Sequence, residues 1–404
     1  LSAAAFAVAG VSAVAIMPTT SEAIPAFARQ TGAACLSCHF QTFPALTSFG
    51  RSFKLNAFTD VGEQALIEDE GLSLPSVMNA SLVLRAGYTI SKVTTTATAT
   101  APASTVSTRN WAVPTDSNLL LAGRVGANVG AFVEFAGGAG NWQMMSSFDF
   151  DGIKAGLNIA NTGFGPTAAL ETTAVYGQHS GKLGGGNVSA VNTIIGGLGQ
   201  TTSVALWTGN ETFTLQGAMV AYADARATTD PSFIPLIRGT YVADLGGAEL
   251  LIGATLSSGT QSAKIGGAPI DLGVDLKWVD VQIQGEMGDA SYGIYADFVT
   301  TKARSAGAAG VSSNIFAPGF ANAKRDGFGI RAEFKPLHHI LFGVGYMSDK
   351  TTALAGAAAK TTTTHLAATY ELYQNMEINL VYDNMNTPNG GKTTTTLLEM
   401  EALL

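Results

Sequence analysis

From Met78 onward, apolar and polar residues alternate along short segments that are broken by clusters of Gly, Thr, Asn and Asp. A period of two places successive side chains on opposite faces of an extended chain, so the pattern predicts β-strands rather than helices. In Trp278–Met287, Val279, Val281 and Ile283 share one face, and Trp278, Asp280, Gln282, Gln284 and Glu286 share the other. In His365–Leu372, Leu366, Ala368, Tyr370 and Leu372 oppose His365, Ala367, Thr369 and Glu371. In Ile340–Met347, Ile340, Phe342, Val344 and Tyr346 oppose Leu341, Gly343, Gly345 and Met347. One apolar face and one polar or small face is what a barrel needs when lipid lies outside and a lumen inside. Short connections, Lys335–His339 and Glu371–Asn375, suit one end of such a barrel; Thr-, Ala- and Gly-rich stretches, Thr94–Thr108, Gly181–Gly199 and Thr301–Ala323, suit long loops at the other. At about 9–11 residues per spanning strand, the chain allows roughly 14 to 18 strands.

Composition strengthens this reading. Charged residues are 13% of the 404, about half the ~25% of an ordinary soluble domain. The body of the chain nevertheless lacks the roughly 18 uninterrupted apolar residues of a membrane helix. The expectation is an all-β, transmembrane antiparallel barrel over residues 77–404. The formal charge of -8 argues against nucleic acid, which selects basic stripes. Ala3–Ile16 is apolar and small, and Ser21-Glu22-Ala23 reads as a small-x-small cleavage site, so residues 1–23 are expected to be a secretory signal peptide. Catalytic triads, phosphate loops and dinucleotide fingerprints are not visible.

The chain has two cysteines, and they stand together in Cys35-Leu36-Ser37-Cys38-His39. This is the c-type haem attachment pattern: two thiols reach the two vinyl groups on one porphyrin edge, and the adjacent imidazole points at the iron. A local disulfide is the alternative; zinc normally needs four ligands, and no second Cys/His pair with suitable spacing appears. Around the motif, Phe27, Phe40, Phe43, Phe49, Phe53 and Phe58 can shield a porphyrin. Arg29, Arg51 and Lys54 can either meet haem propionates or dock the segment on acidic lumen residues.

The flanks carry a resemblance. Pro25-x-Phe27-Ala28-Arg29-Gln30-Thr31-Gly32-x-x-Cys35-x-x-Cys38-His39 is followed by Pro44-x-Leu46-x-x-Phe49-Gly50-Arg51-x-Phe53-Lys54. Over residues 24 to 56 this resembles the fused monohaem cytochrome–porins with which iron-oxidising bacteria oxidise extracellular ferrous iron. The resemblance implies a cytochrome segment, residues 24–76, fused to a porin-like barrel of about sixteen strands in the outer membrane. It implies that Cys35 and Cys38 hold one haem c covalently, with His39 as proximal ligand. It also implies Fe(II) as electron donor and a periplasmic cytochrome as acceptor. From the residues alone, outward electron transfer or a plain diffusion porin with a Cys-pair plug remain alternatives.

A six-coordinate haem needs a second axial ligand, and residues 40–77 contain neither Met nor His. Alternation puts Met145, Met347 and His365 on the lumen face as candidates, and Met78, Met219 and Met287 on the lipid face; His338 and His339 fall near a turn. Asp280 and Glu286 are acidic lumen candidates for attracting cations.

Overall fold

The computed structural model describes residues 26–41, 45–97, 102–136, 139–162, 188–195, 201–222, 232–265, 268–304, 313–317, 319–320, 322–353, 356 and 358–404. The expected signal segment, residues 1–23, lies outside them.

The fold is a closed antiparallel β-barrel of sixteen strands among the described residues. Neighbours in sequence pair with one another throughout, and the last strand, Lys392–Leu403, closes onto the first, Ala80–Thr95. Ala139–Ser146 and Phe148–Phe150 both pair with Ile153–Thr162 and make one strand interrupted at Ser147. Closure leaves no open edge, the condition under which strands can cross lipid. No helix among the described residues is long and apolar enough to cross a membrane.

The alternation read from the sequence sorts the side chains. Val279, Phe298 and Phe328 are ladder neighbours on the outer face, 49%, 46% and 41% exposed. On the inner face of the same strand, Trp278, Asp280, Gln282 and Gln284 are buried. Met145, Met347 and His365 face inward and are buried, whereas Met78, Met219 and Met287 are exposed.

The connections divide as expected at one end and differ at the other. Residues 127–128, 151–152, 210–212, 245–247, 288–289, 338–339 and 374–375 are short turns at a common end, which in outer-membrane barrels faces the periplasm. Much of Thr94–Thr108, however, is strand: Ala80–Thr95 and Ser104–Gly126 stay paired up to Thr95 and Ser104. The Thr run read as loop composition is β-branched and suits an extended ladder. Within the other two expected loops, residues 188–195 and 313–317 fold back into the lumen: Val191, Ile194, Ile315 and Phe316 are almost fully buried.

These inward segments join Leu272, Val274, Leu276, Trp278, Val299 and Met347 of the wall in an apolar cluster that fills the lumen away from the short turns. The short helix Ala190–Ile194 is seated there by Asp297, which accepts from the Ala190 and Val191 amides at 3.0 and 3.1 Å and from Ser189 Oγ at 2.6 Å. Full burial of side chains such as Ile315 and Phe316 stabilises by about 1.5–3 kcal/mol each.

Phe298→Arg, a charge at mid-height on the lipid face, is expected to lower barrel stability by about 2–4 kcal/mol. Denaturant titration of the protein folded in phospholipid vesicles reads the change, and an unchanged midpoint would place Phe298 elsewhere.

The plug at the short-turn mouth

Residues 26–41 and 45–60 carry three short helices: α1 (Ala26–Thr31), α2 (Cys35–Cys38) and α3 (Ser48–Leu55). A hairpin of β1 (Leu66–Asp69) and β2 (Leu72–Pro75) follows, and the barrel begins at Ala80. Helix α3 starts where Thr47 accepts the Gly50 amide at 3.1 Å, a cap worth ~1 kcal/mol. Lys54 in its last turn complements the helix dipole. Ala57 and Phe58, both at positive φ, end it, and the Phe58 amide donates back to the Phe53 carbonyl at 3.1 Å. Two adjacent non-glycine residues in that region cost about 1–3 kcal/mol each. The wall holds them there: Gly130 approaches the Ala57 carbonyl so closely that a Cβ would collide with it.

The three helices reach the barrel around much of its circumference, always near the short turns. Arg29 donates to the Ala80 carbonyl. Gln30, fully buried, donates to the Phe58 and Asp60 carbonyls at 2.6 and 2.8 Å and accepts from the Arg124 amide at 2.9 Å. Ser147, at the strand break, donates to the Leu55 carbonyl at 2.7 Å. Ser52 donates to Glu211 at 3.0 Å, Gln41 donates to Ser291 at 3.0 Å, and Lys335 donates to the Gln41 carbonyl at 2.8 Å. Arg51 pairs with Glu249. The segment is a plug across the mouth.

The two cysteines and His39 come together by local geometry. Cys35 and Cys38 stand three apart on the single turn of α2, which brings their side chains to one face. His39 leaves the helix in extended conformation, its amide still bonded to the Cys35 carbonyl at 2.9 Å, and bridges to Leu46. Helix α3 clamps this turn: the Thr47 amide donates to the Cys38 carbonyl at 3.0 Å and Thr47 Oγ1 to the Ser37 carbonyl at 2.7 Å. Gly50 permits the contact, since a Cβ there would strike the Cys38 carbonyl.

Both thiols are free and half-buried. Burial pushes Cys35 from 9.0 up to about 11, with Glu371 and Cys38 adding to the rise; burial raises Cys38 as well. A thiol held protonated is a poor nucleophile and a poor metal ligand, so this environment favours neutral sulfur. Among the described residues, no three His, Cys, Asp or Glu side chains gather as a metal site.

Of the flanking residues, the aromatic ones pack mainly against the wall, and Arg51 follows the second of its two expected roles. Phe27, Phe53 and Phe58 pack on one another, with centroids 5.1 to 5.9 Å apart, and join Met145 and Trp207 of the wall. They anchor the plug. Phe40 alone of the six packs beside the motif's own wall, with Ala45 and Tyr295; Phe49 is exposed, and Phe43 lies outside the described residues. Arg51 docks on an acidic wall residue. Asp280 is not an open cation site: Arg238 forks onto it at 2.6 and 3.0 Å. Glu286 is exposed beside a turn.

The sequence matches no known family model and no curated protein. Solved structures do match. A loop L8 deletion mutant of OmpT, an outer-membrane protein of Vibrio cholerae, aligns at a TM-score of 0.52 with 12% identity, over 81% of this chain and 99% of that one. In-vitro folded OmpT aligns at 0.51 with 12% identity, over 85% and 100%. The fold is a porin-like β-barrel. Within this porin-like barrel, alternation could have pointed to Lys335 and Tyr295 as inward residues, as it did to Glu371. Nothing local in the sequence signals that Gln30 pins the plug.

Arg51→Ala is expected to loosen the plug by about 1–2 kcal/mol, seen as faster hydrogen exchange in residues 26–60 with barrel amides unchanged. Equal exchange in both proteins would mean that Arg51 does not hold it. In the unmodified chain, alkylation of Cys35 is expected to rise with a midpoint near pH 11. The unfolded chain deprotonates at lower pH, so this thiol's contribution to stability is lost as pH rises from about 9 toward 11. An alkylation midpoint near 9 would place the thiol in open water.

Proposed function

We propose that this chain is an outer-membrane c-type cytochrome that accepts electrons from Fe(II) outside the cell and passes them to a periplasmic cytochrome. The observation that carries the reading is the Cys35-x-x-Cys38-His39 turn, clamped into a plug at the short-turn mouth. The donor set fits a haem c: two free thiols share one helical face in surroundings that favour neutral sulfur, and an imidazole follows directly. Cys35 and Cys38 would carry the thioether links and His39 the proximal coordination; a haem there supplies a one-electron centre. Helix α3 fixes the height of that turn through Thr47 and Gly50. Phe40 and Tyr295 keep apolar surface beside it, and Lys335 and Glu371 form an ion pair at 2.7 Å below. The choice of Fe(II) and the inward direction rest on the resemblance over residues 24 to 56.

A diffusion porin is the competing reading, favoured by the fold alone. The packing inside the barrel weighs against it. A solute channel keeps a polar, water-filled lumen, whereas here the plug occupies one mouth and an apolar cluster the interior beyond it. Such a lumen suits transfer of an electron better than passage of an ion.

Anaerobic Fe(II) added to the oxidised, detergent-purified protein is expected to bring up reduced c-type absorption bands, and His39→Ala is expected to abolish that response. Haem that dithionite reduces and Fe(II) does not would move the function to another redox partner. In planar bilayers the protein is expected to conduct far less than an open sixteen-strand porin. Porin-sized conductance would favour the diffusion reading.

A further inference from the structure

We infer that the outward rim of the barrel around Lys350 and Lys360 binds a phosphate-bearing glycolipid of the outer leaflet, lipopolysaccharide. The alternation that sends Val279, Phe298 and Phe328 to the lipid face also fixes where that face ends. One step further from the short turns, the same face carries Lys277, Thr300, Asp326, Lys350 and Lys360, joined strand to strand across the ladder. A step beyond stand Asp275, Lys302 and Lys324. All five of these lysines are exposed. The short turns of such barrels face the periplasm, so these rows lie at the outer edge of the apolar band. The other rim has the opposite sign: Asp60, Glu63, Asp151, Glu211, Asp244 and Asp289 are exposed near the short turns.

The charges of the outer patch do not balance. Lys302 pairs with Asp275 at 3.3 Å and Lys324 with Asp326 at 2.9 Å. Asp326 also accepts from Thr300 Oγ1 at 2.7 Å, so both acids are engaged. Lys350 and Lys360 stand directly opposite each other on Ile340–Thr352 and Ala358–Tyr373, and neither forms an ion pair among the described residues. Like charges in that position repel. Residues 305–323, 353–357 and 387–391, which connect the strands at this end, contain no Asp or Glu to relieve them. The counter-charge has to come from outside the chain.

The order of side chains along the wall selects a glycolipid over a free anion. Phe298, Phe328 and Tyr346 are exposed on the same faces as Lys302, Lys324 and Lys350, four positions nearer the short turns. Four positions are about 13 Å along a strand, which sets acyl chains against the rings and phosphate against the ammonium groups. Between the two levels, Thr300, Ser348 and Thr362 offer hydroxyls to a sugar. A free phosphate would meet the lysines alone.

The test is native mass spectrometry of the full-length protein in detergent, titrated with lipopolysaccharide. Lys350→Gln/Lys360→Gln is expected to bind it on the order of twentyfold more weakly than wild type, about fivefold for each cation beside an anionic lipid surface. Lys350→Arg/Lys360→Arg, which keeps both charges, is expected to bind as wild type does. Lipopolysaccharide stripped of its phosphates, phosphatidylglycerol and inorganic phosphate are each expected to bind wild type more weakly than the intact glycolipid. Without glycolipid, the Gln variant has lost its opposed charges and is expected to unfold no earlier than wild type. Equal binding by wild type and the Gln variant would overturn the inference, as would earlier unfolding of that variant without glycolipid. Phosphate-stripped glycolipid or phosphatidylglycerol binding as tightly as intact lipopolysaccharide would also overturn it.

Discussion

Lipid offers backbone amides no water to bond, and that single constraint governs this molecule. Every spanning N–H and C=O must find a partner in a neighbouring strand, so the sheet has to close. It does so where Lys392–Leu403 pairs with Ala80–Thr95. Once the sheet closes, the period of two acquires its meaning: one set of side chains meets lipid and the other is committed to the lumen. Val279, Phe298 and Phe328 follow the first rule, and Trp278, Asp280 and Gln282 the second.

The lumen then has to be filled or flooded. This chain fills it in tiers. At the short-turn mouth sit α1 to α3, held by hydrogen bonds and the Arg51–Glu249 pair. Above them the wall carries paired charges, Arg238 with Asp280 and Arg331 with Glu333, the latter at 2.8 Å. Beyond lies the apolar cluster with its two inward-folded segments. The Cys35–His39 turn thus sits at one defined depth, against a defined arc of wall, because barrel contacts on both sides fix it. A redox group held on that turn would inherit a fixed depth and a partly buried setting beside wall charges, features by which proteins set a haem potential.

Much of this was legible in the residues. The alternation in Trp278–Met287, Ile340–Met347 and His365–Leu372 assigned each named face correctly, because strand periodicity is local and closure enforces it. The inward positions of Met145, Met347 and His365 followed from the same rule. What sequence could not give depends on contacts between distant segments. Thr94–Thr108 read as loop, since a Thr-rich run looks like linker composition until a partner strand is known. The inward folding of residues 188–195 is decided by Asp297, more than a hundred positions away. The phenylalanines beside the Cys pair looked like porphyrin shielding, yet Phe27, Phe53 and Phe58 answer to Met145 and Trp207. The 2.6 Å contact of His365 with Asp383 is likewise visible only once their two strands are paired.

The most direct measurement is the intact mass of the chain purified from outer membranes of a host that attaches haem c. A mass higher than the polypeptide's by one haem, lost together with the pink colour in Cys35→Ser/Cys38→Ser, is the expected result. A chain at its unmodified mass, folded as a barrel and colourless in that host, would contradict a haem held in the lumen.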